Sequence, residues 1–417
     1  MNLWRLELRL LVRQRIALAA LALLTCLTIA ALACGMVEIA QQRRAIAAIP
    51  AAQAEDIGAI AAWIDKEKDA GSAAYYTFHP TWNAPSPLAF AAIGMRDVAP
   101  YILRVRSLGL EAQIHDGDIF NPELALPGAF DFAFVLVFLA PLFAIGLCHD
   151  LVSGEREAGR WRTLMACERG GKALFLRRTL LRLILLWAAL GIPFLVAAMA
   201  SGVASLAILA IETLIAAYLL FWIGLCNLIS RFKWSSTTNA ASACTAWLIL
   251  VLIVPTLAHI AINRAIPIHQ GAEIALAQRE EVNHAWDIPR EDTMRRFYAK
   301  HPEWANSKPL GVAFHYKWYL AFHQNGDESV AADVKRYRAA LEARDKAAHR
   351  LSWILPSVGV EAALSRLAQT DLASQLAYQD RIRAYHKRLR EFFYAYLFTD
   401  RPFGMSDFAK IPRFEGI

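Results

Sequence analysis

Five stretches of predominantly apolar residues constrain this chain more than any other feature. A run of about 20 such residues, wound into an α-helix, matches the hydrocarbon core of a bilayer. The stretches lie near Ile16–Val37, Phe130–Cys148, Leu180–Ala200, Ala204–Leu228 and Ala240–Ile262, and nothing after Ile262 has that character. With 57% apolar and only 19% charged residues, the 417-residue chain has too few charges to coat a soluble protein. The fold class this implies is mainly α, a polytopic α-helical membrane protein with five visible spans.

Basic residues beside the spans set the orientation. Arg5, Arg9, Arg13 and Arg15 precede the first span, and Arg156, Arg160, Arg162, Arg169, Lys172, Arg177, Arg178 and Arg182 crowd the second-to-third loop. Both regions are expected in the cytoplasm, and Arg231 and Lys233 put the fourth-to-fifth loop there too. The segment from Glu38 to Gly128, with seven basic and eleven acidic residues, is expected outside. The net charge of +7 is thus a topology signal, explained by anionic lipid and translocation bias, and membrane lipid rather than nucleic acid is the partner it implies. Ala31-Leu32-Ala33-Cys34-Gly35 grazes a lipoprotein signal. The long apolar run, Ala31 where such signals favour Leu, and the four later spans favour an uncleaved first span. All six cysteines, at 26, 34, 148, 167, 226 and 244, fall in spans or cytoplasmic loops, so no disulfide framework or zinc site is implied.

The resulting organisation is an interfacial cytoplasmic helix over 1–15, where Leu and Arg intermix, then span 1 over 16–37 and a first external region over 38–129. Span 2 (130–148), a cytoplasmic loop (149–179), span 3 (180–200), span 4 (204–228), a second cytoplasmic loop (229–239) and span 5 (240–262) follow, and 263–417 forms a second external region. The first external region reads as mixed α/β. It has a helical pattern over Ile39–Lys68, an irregular aromatic turn over Tyr75–Trp82 with Pro85 and Pro87, an apolar stretch at Leu88–Met95 and a strand at Tyr101–Val105. The second reads as mostly helical, with helices over Ala272–Ala285, Arg290–Ala299, Ser329–Leu351 and Asp371–Tyr396 and Pro289, Pro302, Pro309 and Pro356 as breakers. In the last helix, Leu376, Tyr378, Ile382, Tyr385, Leu389 and Phe392/Phe393 form an apolar stripe expected to be core.

Between spans 2 and 3 runs the dense charge of His149-Asp150-Leu151-Val152-Ser153-Gly154-Glu155-Arg156-Glu157-Ala158-Gly159-Arg160-Trp161-Arg162. Asp150 and Ser153 can accept hydrogen bonds from free amides at a helix start, and Glu155 and Glu157 suit the positive end of a helix dipole. A short helix lying across the membrane surface is the simplest reading. The pattern Ser153-x-Glu155-x-Glu157-x-Gly159 resembles the first coupling helix of ABC-2-type permeases, which docks on a separate ATPase.

That resemblance implies a permease subunit of an ATP-driven transporter in the bacterial inner membrane, an exporter or extractor. Asp150, Ser153, Glu155, Arg156, Glu157, Gly159 and Arg160 would couple to the ATPase, and Arg231 and Lys233 would lie in the second cytoplasmic loop. The chain itself would carry no cofactor, with ATP and Mg on the partner ATPase. Two permeases, identical or similar, would sit over two ATPases, and the external regions would gate the exit or recruit a periplasmic partner. More narrowly, Pro87-Leu88-Ala89, Gly94-Met95-Arg96-Asp97-Val98-Ala99-Pro100, Asn121-Pro122-Glu123 and Gly128–Val135 resemble a branch of these permeases with large external insertions, catalogued as a domain of unknown function. So do Val282-Asn283-His284-Ala285-Trp286-Asp287 and Ile354-Leu355-Pro356-Ser357. Family architecture adds a sixth span returning the chain to the cytoplasm.

Enzyme chemistry finds little support. Gly154–Trp161 has the glycine spacing of a phosphate loop but lacks its Lys and Ser/Thr and follows no strand. The chain has no H-E-x-x-H, G-x-S-x-G or paired-Cys motif, and His115-Asp116-Gly117-Asp118 reads as a solvated turn rather than a metal site. Glu155, Glu157 and Arg160 only echo the E-E-x-x-x-R of membrane-embedded proteases, since the glutamates are not adjacent and no partner histidine motif follows. A membrane-anchored envelope scaffold or sensor is the stronger alternative. Glu212, about a third of the way into span 4, is costly in an apolar setting. It is a candidate conduit residue or a structural hydrogen-bonding group, with His259 in span 5 as its expected partner.

Overall fold

The computed structural model describes residues 3–115, 128–166, 171–268, 271–311 and 314–416. The fold is mainly α, and its long apolar helices suit a polytopic helical membrane protein. Five helices have the length and composition to cross a bilayer: Arg15–Glu67, Phe132–Glu157, Ala173–Ala200, Ser205–Ile229 and Ser236–Ala265. A short helix, Leu3–Arg13, precedes them.

The first apolar helix is unbroken for 53 residues. At 1.5 Å per residue it is about 80 Å long, more than twice a hydrocarbon core of about 30 Å. The sequence reading divided this stretch between Val37 and Glu38, but polarity changes there without any change of backbone. The Ala-rich segment favours helix on both sides, and the Gln42 amide donates to the Glu38 carboxylate across one turn at 3.0 Å. The helix stops where Lys68 turns left-handed at φ 55°. Asp69 then caps the next helix, Ala70–Tyr76, by accepting from the amides of Gly71 and Ser72.

The second and fifth apolar helices each widen into a π-turn, at Val135–Leu139 and Leu248–Ile253, just before Pro141 and Pro255. Proline cannot donate to the carbonyl four residues back and crowds it, so the preceding turn relaxes to a wider spacing. The carbonyl that Pro141 leaves free, that of Val137, accepts the Tyr218 hydroxyl of the fourth helix at 2.9 Å. Pro141 thereby ties two helices together.

The third helix begins at Lys172, eight residues ahead of the apolar stretch that announced it, because its first turns carry Arg177 and Arg178. The fifth begins at Ser236 for a similar reason: its opening turn is polar, with Ser235 capping it through the Thr238 amide. Both starts lie where sequence polarity alone reads as loop.

Away from helix 3–13, the two regions read as separate external parts interleave into one head. A core shared by both contains Ala61, Ile64, Ala73 and Leu108 from the first and Phe297, Trp318, Phe322, Leu389 and Phe393 from the second. Polar ties follow the same seam. Asp327 accepts from the Leu110 and Glu111 amides and pairs with Arg390 at 2.7 Å, while Glu111 pairs with Arg383 at 2.8 Å. The strand expected near 101–105 is β2, Ile102–Val105. Its antiparallel partner β1, His79–Trp82, occupies the stretch read as an aromatic turn. Trp82 packs edge-on against Phe414, and the Thr81 hydroxyl meets that of Tyr378.

Helices Gly271–His284, Arg290–Lys300, Ala331–Leu351 and Leu372–Leu397 match the expected set within a few residues, and the apolar stripe of the last faces the core. Two more helices, Tyr316–Ser329 and Pro356–Leu367, complete the head. The second of these seats the head on the bundle: Val360, Leu364 and Ala368 join the bundle core, and the Ser357 hydroxyl donates to the Leu250 carbonyl in the π-turn. The 88–92 loop does the same beside the first helix, where a Cβ on Gly35 would overlap the Phe90 carbonyl.

Candidate functional site

The charged segment at the end of the second apolar helix loosens into turns at His149–Val152, forms a single helical turn, Ser153–Glu157, and turns again before helix Trp161–Ala166. The expected side-chain cap at Asp150 or Ser153 does not form, because the backbone stays near helical geometry and the Gly154 amide donates to the Asp150 carbonyl at 2.9 Å. The Ser153 hydroxyl instead accepts from the Ser236 hydroxyl at 3.0 Å.

Both glutamates are tied within the chain, Glu155 largely buried and Glu157 at the exposed surface. Glu155 accepts from Arg160 and from Arg178 of the third helix, each at 2.7 Å, and its side chain is 12% exposed. Arg178 also pairs with Glu7 of helix 3–13 at 3.1 Å, so one guanidinium joins the N-terminal helix, the loop and the third apolar helix. Glu157 accepts from the Ser236 amide and hydroxyl at the start of the fifth helix. Arg156 donates to the Ser230 carbonyl at 2.8 Å, beyond the end of the fourth. The segment is therefore tied to helix 3–13, the third helix, the end of the fourth and the start of the fifth by bonds that no sequence spacing announces. Glu7 and Arg178 are 171 positions apart.

Glu157, Ala158, Gly159, Arg160 and Arg162 are exposed, and the bonds to Ser230 and Ser236 bring the exposed loop Arg231-Phe232-Lys233-Trp234 alongside. In that loop the Phe232 and Trp234 rings stack 4.9 Å apart. Gly159 has φ +71°, and a Cβ there would meet nothing within 4 Å, so its role is backbone conformation rather than close approach.

Glu212 and His259 are not brought together. The Glu212 side chain lies against the third helix, where a Cβ on Gly191 would stand 2.5 Å from Oε2, and among the described residues neither carboxylate oxygen has a hydrogen-bond partner. His259 is exposed and bonds Asn263 one turn along its own helix. The partner assignment made from sequence is therefore corrected: the fifth helix places His259 outward, and Glu212 lies against Gly191 and the Trp187 indole of the third helix.

Among the described residues no group of His, Cys, Asp and Glu is arranged to hold a metal ion. His115 contacts Glu111 at 3.4 Å, and Asp116, Gly117 and Asp118 lie outside the described residues, as do Asn121, Pro122, Glu123, Cys167 and Arg169. In the head, burial alone presses the His79 imidazole down to about 3. Burial, with help from Arg390 and Arg106, does the same to His323.

Comparison with known proteins reaches one segment only. No curated protein and no solved structure matches this chain. Residues 272–416, the second part of the head, match a family described as Domain of unknown function (DUF3526).

Proposed function

We propose that this chain is the permease subunit of an ATP-driven ABC-2-type transporter, an exporter or extractor, and that the 149–166 segment couples it to separate ATPase subunits. The observation that carries the reading is the bracing of that segment. A surface loop with no mechanical task has no need of simultaneous ties to helix 3–13, the third helix and both ends of the fourth-to-fifth loop. A push on Gly159 and Arg160 would move all of them together. The glutamates act in this reading as struts within the chain, Glu155 largely buried and Glu157 at the surface, and the ATPase meets the exposed 158–162 edge and the Arg231/Lys233 loop. Orientation follows the basic residues, with this end in the cytoplasm of a bacterial inner membrane and the head outside. A second permease copy has surface to cover in the fifth apolar helix, of whose most apolar stretch only 6% is buried. ATP and Mg belong to the ATPase.

The test is purification of the full chain from native membranes, with a photo-cross-linker placed at Arg162. Recovery of an ABC ATPase cross-linked from Arg162, and not from Ser329 in the head, supports the reading. A chain that never captures an ATPase, but retains an envelope protein on its head, favours the alternative of a membrane-anchored scaffold or sensor, for which the size of the interleaved head is the argument.

A further inference from the structure

A cavity of about 500 Å³ opens between helix 3–13 and the ends of the second and third apolar helices. Six charged side chains line it: Glu7, Asp150, Glu155, Arg160, Arg178 and Arg182. Four of them neutralise one another, since Arg178 joins Glu7 and Glu155, and Arg160 also joins Glu155. One cation and one anion remain. Arg182 gives its Nε–H to the Leu147 carbonyl at 2.7 Å, which leaves its terminal amino groups for the cavity. Among the described residues neither Arg182 nor Asp150 closes an ion pair, although both line this one space.

We infer that this cavity binds the headgroup of a zwitterionic phospholipid of the phosphoethanolamine type, its phosphate on Arg182 and its ammonium on Asp150. The complement of an uncommitted guanidinium and an uncommitted carboxylate is a molecule with both charges. A guanidinium suits phosphate through paired N–H donors, and a carboxylate suits a primary ammonium that can donate to it. An anionic head would satisfy Arg182 and be repelled by Asp150. A choline head brings no N–H to donate.

The surroundings choose a lipid over a free zwitterion. Leu10 lines the cavity at 43% exposure, and Leu6 and Leu8 on the same helix are exposed as well. These apolar surfaces lie where the apolar helices begin, the level at which headgroups sit when those helices cross a bilayer. The inference needs that embedding and is independent of any ATPase.

The full chain, purified in mild detergent and stripped of lipid, is titrated with phosphatidylethanolamine, phosphatidylglycerol and phosphatidylcholine and read by native mass spectrometry. Phosphatidylethanolamine is expected to be retained above the other two. Loss of a charge-assisted contact in Asp150→Asn or Arg182→Gln should weaken that retention roughly ten-fold. The double variant should lose little more than either single one, because a head held at one end only is already loose. Asp150 is exposed, so Asp150→Asn decides the matter should Arg182→Gln fail to fold. Equal retention of the three lipids, or unchanged retention in a folded Asp150→Asn protein, overturns the inference. Displacement of the lipid by equimolar soluble glycerophosphoethanolamine overturns the choice of a lipid.

Discussion

Glu157 and Ser236, 79 positions apart, are joined twice: the Ser236 amide donates to one carboxylate oxygen at 2.6 Å and its hydroxyl to the other at 3.0 Å. A carboxylate from the 149–166 segment thus satisfies free donors at the start of the fifth apolar helix, the end where a helix dipole favours negative charge. The loop between the second and third helices is in this way part of the N-terminal cap of the fifth.

Glu157→Gln keeps the shape and an acceptor but removes the charge, and Glu157→Ala removes both. Ala should therefore lower the thermal stability of the purified chain more than Gln, and Ser236→Ala should add little to Glu157→Ala, since the two changes break one contact. If ATPase docking ran through this carboxylate, the Ala variant would lose the ATPase while melting like wild type. A normal melt with lost association would count against the strut reading.

Arg178 is the strongest single brace, with Glu7 and Glu155 both largely buried against it. Removing it leaves Glu7 without its cation and Glu155 with Arg160 alone, which should cost about 3 kcal/mol. Arg178→Ala should lower the melting temperature and free helix 3–13 to proteolysis, and Glu7→Gln in the same chain should recover part of the loss. A melting temperature unchanged within error in Arg178→Ala would show that the network is not formed.

Gly159 tests conformation at the exposed edge. Its φ of +71° costs an L-residue about 1 kcal/mol, more for a β-branched one. Asn should be tolerated best, then Ala, with Val worst, in both melting temperature and ATPase capture. The order Ala better than Asn would mean that side-chain bulk, not backbone, matters there.

Local chemistry decided which parts of this were legible in the sequence. Apolar length announced the five bundle helices, and the stripe from Leu376 to Phe393 announced a core helix, because both signals lie within one element. Element ends were less legible. Lys172 and Ser236 open helices with polar turns, so hydropathy begins too late, and Glu38 changes polarity inside a helix that does not change shape. β1 was hidden because His79-Pro80-Thr81-Trp82 carries a proline and too few residues to show alternation, and its pairing to β2 is fixed by contacts with Tyr378 and Phe414 about 300 positions on. In the charged segment the partners of the side chains were not readable. Glu155 looks solvent-facing until Arg178 arrives from elsewhere in the chain, and Glu157, though exposed, is held by Ser236, 79 positions on.

The head should be acid-sensitive. His79 and His323 are held neutral by burial, with imidazoles near 3 against an ordinary value of 6.5. Folded protein therefore refuses a proton that unfolded chain accepts, so their contribution is full above pH 6.5 and is lost as pH falls from there towards 3. Each is worth up to about 2 kcal/mol between pH 7 and 5. His323 sits among Tyr319 and Phe322, so His323→Phe should keep the packing and flatten the fall in melting temperature between pH 7 and 5. An equally steep fall in that variant would assign the acid sensitivity to other groups.

Glu212 gives the sharpest test of function inside the bundle. Its carboxylate oxygens are buried without a well-formed hydrogen bond among the described residues, beside Gly191, which leaves room for them, and the Trp187 indole. An unpaired carboxylate among apolar helices costs stability, so Glu212→Leu should stabilise the chain by about 1–2 kcal/mol. If the carboxylate serves the conduit, the same variant should lose transport, and Glu212→Gln should change transport or its pH dependence without a loss of fold. Gly191 supplies an independent check. Gly191→Ala puts a methyl 2.5 Å from Glu212 Oε2 and should destabilise the wild-type background, whereas in Glu212→Ala it should be nearly neutral. That non-additivity measures the contact directly. Should Glu212→Leu lower the melting temperature instead, the carboxylate holds a structural bond, and the conduit reading falls with it.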